Sequence, residues 1–242
     1  MQRYIVEGNI ENIIFDERDI FHIFKVMRHQ VGDEIEINLN GKIYSAQITS
    51  KEPFSIKVTR IIDENRELKN NIVLYYCLPK GDKINLVLQK CTELGVKSIY
   101  GVTSKRTVVK IESSDKPRKI ERFQRIMKEA SEQSKRTEVP EFIDIIDYKQ
   151  IFNKKYDHMY IADEHLALQN IDLFNELTSI EDNESISIIV GAEGGFSEEE
   201  ISLANEKGYK GISLGKRILR SETAAIYIMS VLSFVLERNI GK

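Results

Sequence analysis

Two glycine-punctuated turns carry residue types that could hold a small molecule: Ile188-Ile189-Val190-Gly191-Ala192-Glu193-Gly194-Gly195-Phe196-Ser197 and Ser213-Leu214-Gly215-Lys216-Arg217-Ile218-Leu219-Arg220-Ser221-Glu222-Thr223-Ala224. Each reads as an apolar strand running into a Gly turn that opens a helix, the place where ligand crevices form in α/β sheets. Charge narrows the ligand. Ser197-Glu198-Glu199-Glu200 is a Ser-x-x-Glu capping box with three carboxylates in its first turn. That makes a good helix start and a poor phosphate cradle, because negative charge stands where a pyrophosphate would bind. Neither Gly191-x-x-Gly194-Gly195 nor Gly211-x-x-x-Gly215-Lys216-Arg217 has the spacing of a dinucleotide fingerprint or a P-loop. A neutral or cationic small molecule, held by backbone groups where Gly permits close approach, fits these turns; two ordinary strand-to-helix turns without a ligand fit them as well.

The elements that must position these turns follow from periodicity. Residues 1 to about 68 give short alternating strands at Arg3–Val6, Glu34–Leu39, Lys42–Thr49 and Ser55–Ile62, with an Asn40-Gly41 hairpin turn and one helical segment from Asp19 to Arg28. This half reads as a small β-barrel. The charged run Asp63 to Asn71 reads as a linker. From Ile72 onward strands alternate with helices, the pattern of a parallel sheet covered by helices. Ile72–Leu78, Ile99–Thr103, Met159–Ala162, Ile186–Val190 and Ile212–Leu214 are the expected strands. Ile84, Val87, Leu88, Cys91 and Leu94 recur at helical spacing before Gly95, and another helix starts near Pro117.

The 242 residues, 41% hydrophobic and 30% charged, suit one large or two modest globular domains. Two cysteines exclude a disulfide framework and point to a reducing, cytoplasmic setting; Cys77 and Cys91 sit in apolar patterns that make them packing residues. The amino terminus lacks the shape of a secretory signal. Ala224–Leu236 is apolar apart from Ser230 and Ser233, yet shorter than the ~20 residues of a membrane span. It reads as a helix buried on more than one side, which suits a core helix or one shared between the core and a homodimer interface. His22, His29, His158 and His165 form no metal-spaced cluster, so no metal site is expected.

Basic charge is concentrated in one segment. Residues 1–70 hold ten basic and twelve acidic residues, residues 71–140 fifteen and eight, and residues 141–242 ten and eighteen. Lys105, Arg106, Lys110, Lys116, Arg118, Lys119, Arg122, Arg125, Lys128, Lys135 and Arg136 form a stripe suited to phosphate contacts. A solvated helix with Ile120, Phe123, Ile126, Met127 and Ala130 facing the core accounts for the same residues, and a helix has room for both faces.

The two glycine turns resemble the cofactor loops of the SPOUT methyltransferase superfamily, specifically the ribosomal RNA small subunit methyltransferase E family. Further stretches carry the resemblance: Leu78-Pro79-Lys80-Gly81-Asp82-Lys83 with Gln89 to Val96, Arg122 to Ile126 with Glu129 to Arg136, and His22, Val26-Met27-Arg28 and Gly32-Asp33. It spans nearly the whole chain; Ala192 departs from it, since the family often has Pro there. The resemblance implies a PUA-like barrel over 1–68 and an α/β domain with a trefoil knot over 72–242. It implies S-adenosylmethionine as cofactor, methyl transfer to N3 of a uridine in the 16S rRNA of the small ribosomal subunit, a homodimer and a cytoplasmic enzyme.

Carried onto this chain, the resemblance assigns the cofactor to Gly191, Glu193, Gly194, Gly195, Leu214, Gly215, Ile218, Leu219, Arg220 and Thr223. It places RNA at Arg28, Arg106, Arg122, Arg125, Gln133 and Arg136. Methylation at N3 requires loss of an imide proton from a base taken out of its stack, so cations beside the developing anion should supply much of the rate. Arg220 and Arg136 suit that role, and Glu222 is a candidate base that also reads as a helix-start carboxylate. His165 is the histidine nearest these turns in the pattern, and Asp163-Glu164-His165 is not a hydrolytic triad, since adjacent residues cannot converge on one nucleophile. Two rival readings stand beside this: a SPOUT enzyme acting on transfer RNA or a ribose hydroxyl, and a non-catalytic RNA-binding assembly protein.

Overall fold

A computed structural model describes residues 2–109, 111–163 and 173–238, with the backbone alone at 173–175. Lys110 of the basic stripe and His165 lie outside the described residues. The chain divides into two compact units, Met1–Glu67 with Lys128–Val139, and Leu68–Met127 with Pro140–Lys242.

The first unit is a five-stranded half-barrel sheet in the order β2-β1-β3-β4-β5. Its strands are β1 (Arg3–Asn9), β2 (Asn12–Ile14), β3 (Glu34–Leu39), β4 (Lys42–Lys51) and β5 (Phe54–Ile62). The β3–β4 hairpin closes through Asn40-Gly41, both at positive φ, as the sequence predicts. Strand β1 pairs parallel to β3. Between β2 and β3 the expected helix is shorter: α1 (Glu17–Phe21), capped by the Asp16 carboxylate, runs into one π-helical turn at His22–Val26. Tyr4, Val6, Ile23, Ile35, Ile37, Leu39, Ala46 and Ile48 make the core.

The other face of β3 is buried and polar, and here the sequence reading needs correcting. Glu64 and Glu67, expected in a solvated linker, are ion-pair partners of guanidiniums far away in sequence. Arg3, 1% exposed, pairs with Glu36 at 3.0 Å and Glu64 at 2.8 Å. The Glu64 carboxyl is held down to about 2, chiefly by its hydrogen bond from Arg66. Asn38 donates to the Thr137 carbonyl at 2.8 Å and accepts from the Gly41 amide at 2.9 Å. Local pattern shows the Arg66 partner of Glu64 but not Arg3 or Arg136, which come from a distant strand and helix end.

Glu132 sits in the same layer, accepting from the Ile5 amide at 2.9 Å with the Lys128 ammonium 3.6 Å away and that ammonium also bound to Asp19. Burial pushes its carboxyl up to about 7. The folded chain therefore keeps this proton to higher pH than the unfolded chain, where the group titrates near 4.5. Stability from this group is present below pH 4.5 and falls as pH rises towards 7, by at most about 3 kcal/mol. A Glu132→Gln variant should keep the amide contact and lose this dependence, so its melting point should gain on wild type from pH 5 to pH 8. Parallel melting curves for the two proteins across that range would refute the assignment.

The second unit is a six-stranded, wholly parallel sheet ordered β11-β9-β10-β6-β7-β8. Its strands are β6 (Asn71–Cys77), β7 (Ser98–Thr103), β8 (Glu141–Asp147), β9 (His158–Ala162), β10 (Ser185–Val190) and β11 (Lys210–Ile212). Both faces of β6 are buried: Ile72, Leu74, Tyr76 and Leu78 enter one core, Val73, Tyr75 and Cys77 the other. That double burial is why the strand reads as a continuous apolar run. Helices α2 (Lys83–Glu93), the apolar face of α3 (Lys116–Ser134) and α6 (Ser221–Arg238) cover the first face. A 3₁₀ turn at Tyr148–Asn153 and α5 (Glu198–Glu206) cover the second, and α4 is Leu173–Thr178. Edge strand β8, Glu-Phe-Ile-Asp-Ile-Ile-Asp, keeps no strict period-two alternation and escaped the sequence reading. Cys77 and Cys91 are fully buried and unbridged, and burial raises both thiols, as suits packing residues.

Candidate active site

The carboxyl ends of β9, β10 and β11 converge on one crevice of about 280 Å³. Strand β9 delivers Ala162 and Asp163, β10 delivers Val190 to Glu193 with Gly195 and Phe196, and β11 leads into Ser213 to Gly215 and Arg217 to Ser221. In a parallel sheet every strand ends on the same side, so turns far apart in sequence share one rim.

Local chemistry holds the rim in shape. Ser197 and Glu200 form the expected reciprocal cap, with Ser197 Oγ accepting from the Glu200 amide at 3.3 Å and Glu200 Oε2 from the Ser197 amide at 2.9 Å. The buried Glu200 carboxylate also accepts from the Lys105 amide at 2.8 Å, which fastens the turn after β7 to the helix start. Ser221 Oγ donates to the Gly191 carbonyl and lies 3.1 Å from the Tyr76 hydroxyl. One hydroxyl thereby ties the second turn to the first. Gly215 has φ +106, and a Cβ there would meet no atom within 4 Å; the backbone angle, not crowding, demands glycine. At Gly191 a Cβ would come within 3.1 Å of the Phe196 ring, so crowding decides there.

The rim carries both signs of charge. Glu193 pairs with Lys83 at 2.9 Å, and the same ammonium lies 3.7 Å from Glu222. Partial burial works against ionisation of Glu193, but the Lys83 hydrogen bond and charge together with backbone amides outweigh it and leave the carboxyl below its ordinary range. Lys83 is raised in turn, first by that hydrogen bond. Asp163, Arg217 and Arg220 all belong to the lining, with Val190, Leu214, Ile218 and Leu219 as its apolar part. Such a crevice suits a small molecule with an apolar body and charged groups of both signs.

Similarity to known proteins decides the family. Residues 66–233 match the RNA methyltransferase domain family and residues 15–59 the RNA methyltransferase PUA domain family. The chain is 34% identical to the ribosomal RNA small subunit methyltransferase E of Bacillus subtilis, over 98% of each chain. It belongs to the ribosomal RNA small subunit methyltransferase E family. It is thus an RNA methyltransferase. Among solved structures, the methyltransferase E of Neisseria gonorrhoeae bound to S-adenosyl methionine superposes with a TM-score of 0.81 at 27% identity, covering 97% of this chain and 98% of that one. A methyltransferase of Legionella pneumophila in complex with the same cofactor gives 0.83 at 26% identity, covering 97% of each.

Set against the residues assigned from the family resemblance, the structure brings Gly191, Glu193, Gly195, Leu214, Gly215, Ile218, Leu219 and Arg220 together at the crevice. Gly194 stands just outside, its carbonyl accepting from Arg106 at 2.8 Å. Two assigned residues, Thr223 and Glu222, lie outside the crevice lining. Thr223 faces the opposite side of α6, beside Ile226 and Tyr227, because two residues past Ser221 a helix has turned a little over half way round. Glu222 stands beside the crevice and not in its lining, with one carboxylate oxygen buried without a hydrogen bond and Lys83 as its ionic neighbour.

Arg136 stands apart from the crevice. It is 4% exposed in the first unit, its Nε 3.0 Å from Glu67, so it braces that unit. Lys128 and Lys135 likewise answer Asp19 and Glu36, which leaves a shorter basic stripe. Arg122 is exposed and paired with Asp82 at 3.0 Å; Arg28, Arg106, Arg125 and Gln133 are exposed. Reading the sequence missed Asp163, Phe196, Arg217, Ser221 and Lys83 as parts of the site. Only the order of strands puts the end of β9 beside the other two. Among the described residues no group of His, Cys, Asp and Glu is arranged to hold a metal, and no helix is long and apolar enough to cross a membrane.

Proposed function

We propose that this protein transfers a methyl group from S-adenosylmethionine to N3 of a uridine in the 16S rRNA of the small ribosomal subunit. The observation that carries this reading is the crevice, whose two glycine turns are joined through Ser221 at the carboxyl edge of a parallel sheet. Its residues fit the cofactor: φ +106 with open space at Gly215 leaves the backbone approachable, Leu214 and Leu219 offer an apolar wall, and Glu193 and Asp163 bring negative charge to the lining. When bound, the cofactor supplies an electrophilic methyl group on a sulfonium. The chain supplies the rest. Gly191, Gly195, Leu214, Gly215 and Leu219 hold the ligand, Arg220 at the exposed rim stabilises the uracil anion as the N3 proton leaves, and Lys83 positions Glu193 and Glu222.

In this reading the first unit serves as a PUA-like RNA-binding domain over about residues 1–68, and the crevice loops belong to a knotted catalytic domain over 72–242. The outer face of α6, with Ile226, Tyr227, Val231 and Phe234, is apolar and is covered by a second copy in a cytoplasmic homodimer. Radiolabelled methyl transfer to small subunits lacking the modification, followed by nucleoside analysis, tests the whole. Label in 3-methyluridine supports it. Label in another nucleoside replaces the target, and tight RNA binding without label removes the catalytic role.

A further inference from the structure

The peptide between Gly194 and Gly195 stands in the middle of the first glycine turn, where the chain has least to hold it. Glycine on both sides removes the side chains that would restrict its rotation, and Gly195 sits at φ +63. A peptide free at both ends turns over, and the lining residues beside it, Glu193 and Gly195, would turn with it. This one is clamped at both ends. The Gly195 amide donates to the Ala192 carbonyl at 2.9 Å, and the Gly194 carbonyl accepts from Arg106 Nη1 at 2.8 Å. The Arg106 stem lies on the same glycine, since a Cβ at Gly194 would stand 3.2 Å from Arg106 Cβ.

Arg106 can act as a clamp because its own turn is braced. Between β7 and α3 the chain closes on itself: the Ser104 amide donates to Thr107 Oγ1 at 3.0 Å, the Thr107 amide donates to the Ser104 carbonyl at 3.0 Å, and the two hydroxyls lie 2.9 Å apart. The buried Glu200 carboxylate holds the Lys105 amide at 2.8 Å, and the Lys105 ammonium lies 3.4 Å from Glu199. Fully buried Cys77 has both the Ser104 side chain and the Ala192 amide beside it. Three ties therefore join this turn to the first glycine turn and the helix it opens, although none of residues 104–107 lines the crevice.

We propose that Arg106 is a positioning residue for the methyl donor: its guanidinium presets the Gly194–Gly195 peptide, so that the first glycine turn meets S-adenosylmethionine already in its binding shape. The inference rests on the cofactor reading of the crevice and adds to it a residue from outside both glycine turns. Presetting of this kind shows in affinity, because a loop already in its bound conformation loses less freedom on binding. An RNA phosphate is the other use of an exposed arginine, and the two uses predict opposite results.

The test is made on the full-length protein. Arg106→Met keeps the stem and removes the donors. It should weaken S-adenosylmethionine binding by calorimetry about 10-fold, the size of one hydrogen bond to a charged group, and raise the cofactor KM about as much while kcat at saturation holds. Arg106→Lys restores one charged donor and should bind only about 3-fold more weakly than wild type. In the ligand-free protein the Gly195 amide should exchange its hydrogen about 10-fold faster in Arg106→Met, with the melting point unchanged. Should that variant melt early, Arg106→Lys and the same amide carry the test. Binding of a fluorescent single-stranded oligonucleotide of 16S rRNA sequence should keep its salt slope. Wild-type cofactor affinity in Arg106→Met overturns the proposal, as does a salt slope lower by about 0.7 with cofactor affinity intact, which would give the guanidinium to a phosphate. A wild-type protein that binds no S-adenosylmethionine would instead sink the functional reading, while exchange at Gly195 would still report on the clamp.

Discussion

Gly215→Val is expected to weaken S-adenosylmethionine binding by about 100-fold or more while leaving a folded protein. Gly215 sits at φ +106, which a β-branched residue does not adopt, so valine must swing the chain between Leu214 and Lys216 back to negative φ. The backbone groups of the second turn then leave the crevice. Losing two or three ligand hydrogen bonds at about 1 kcal/mol each, with the shape that goes with them, accounts for the size of the effect. Nothing stands within 4 Å of the site of the new Cβ, so the core is not overpacked and the stability cost should stay near 1–3 kcal/mol. Calorimetry with the cofactor, beside a melting curve, checks both halves. Wild-type affinity in the variant would remove Gly215 from the binding site. Gly215→Ala should fall between the two, since it meets the same backbone restriction without the branched side chain.

Arg220→Gln should lower kcat about 100-fold and leave cofactor affinity within a few-fold of wild type. Arg220 lines the crevice at its exposed rim, on the turn just before α6. Its cation is assigned to charge that develops on the uracil only as the proton leaves, and removing such a preorganised partner typically costs two to three orders of magnitude in turnover, on the order of 3–4 kcal/mol. Single-turnover methyl transfer with saturating RNA separates this from a binding defect. If kcat holds and only the RNA KM rises, Arg220 grips substrate and does not stabilise the reaction. Arg220→Lys should recover part of the rate, because it restores charge without the planar fork.

Residue type and order were enough to fix much of this protein. Alternation in β3 and β4 with Asn40-Gly41 between them, the apolar runs of β6 and β10, and the Ser197 to Glu200 cap are each decided within a few residues, so they were legible without the fold. The two glycine turns were legible for the same reason, and eight of the ten cofactor residues assigned from their family resemblance line one crevice. Three things were not local. Edge strand β8 keeps no strict alternation of apolar and polar residues, because its partly exposed positions hold both Ile and Asp. The carboxylates of Glu64 and Glu67 look like linker charges until Arg3 and Arg136 arrive from elsewhere in the chain, and Arg136 is buried in that pairing. The rotation of α6 sends Ser221 to the crevice and Thr223 to the outer face, a difference of two residues that a motif records as adjacency. Sequence thus determined which segments make strands, turns and caps, because hydrogen bonding and burial within a segment set those. Which charges are spent on each other, and which side of a helix meets the ligand, was decided only by tertiary structure, since both depend on partners brought together across the sheet.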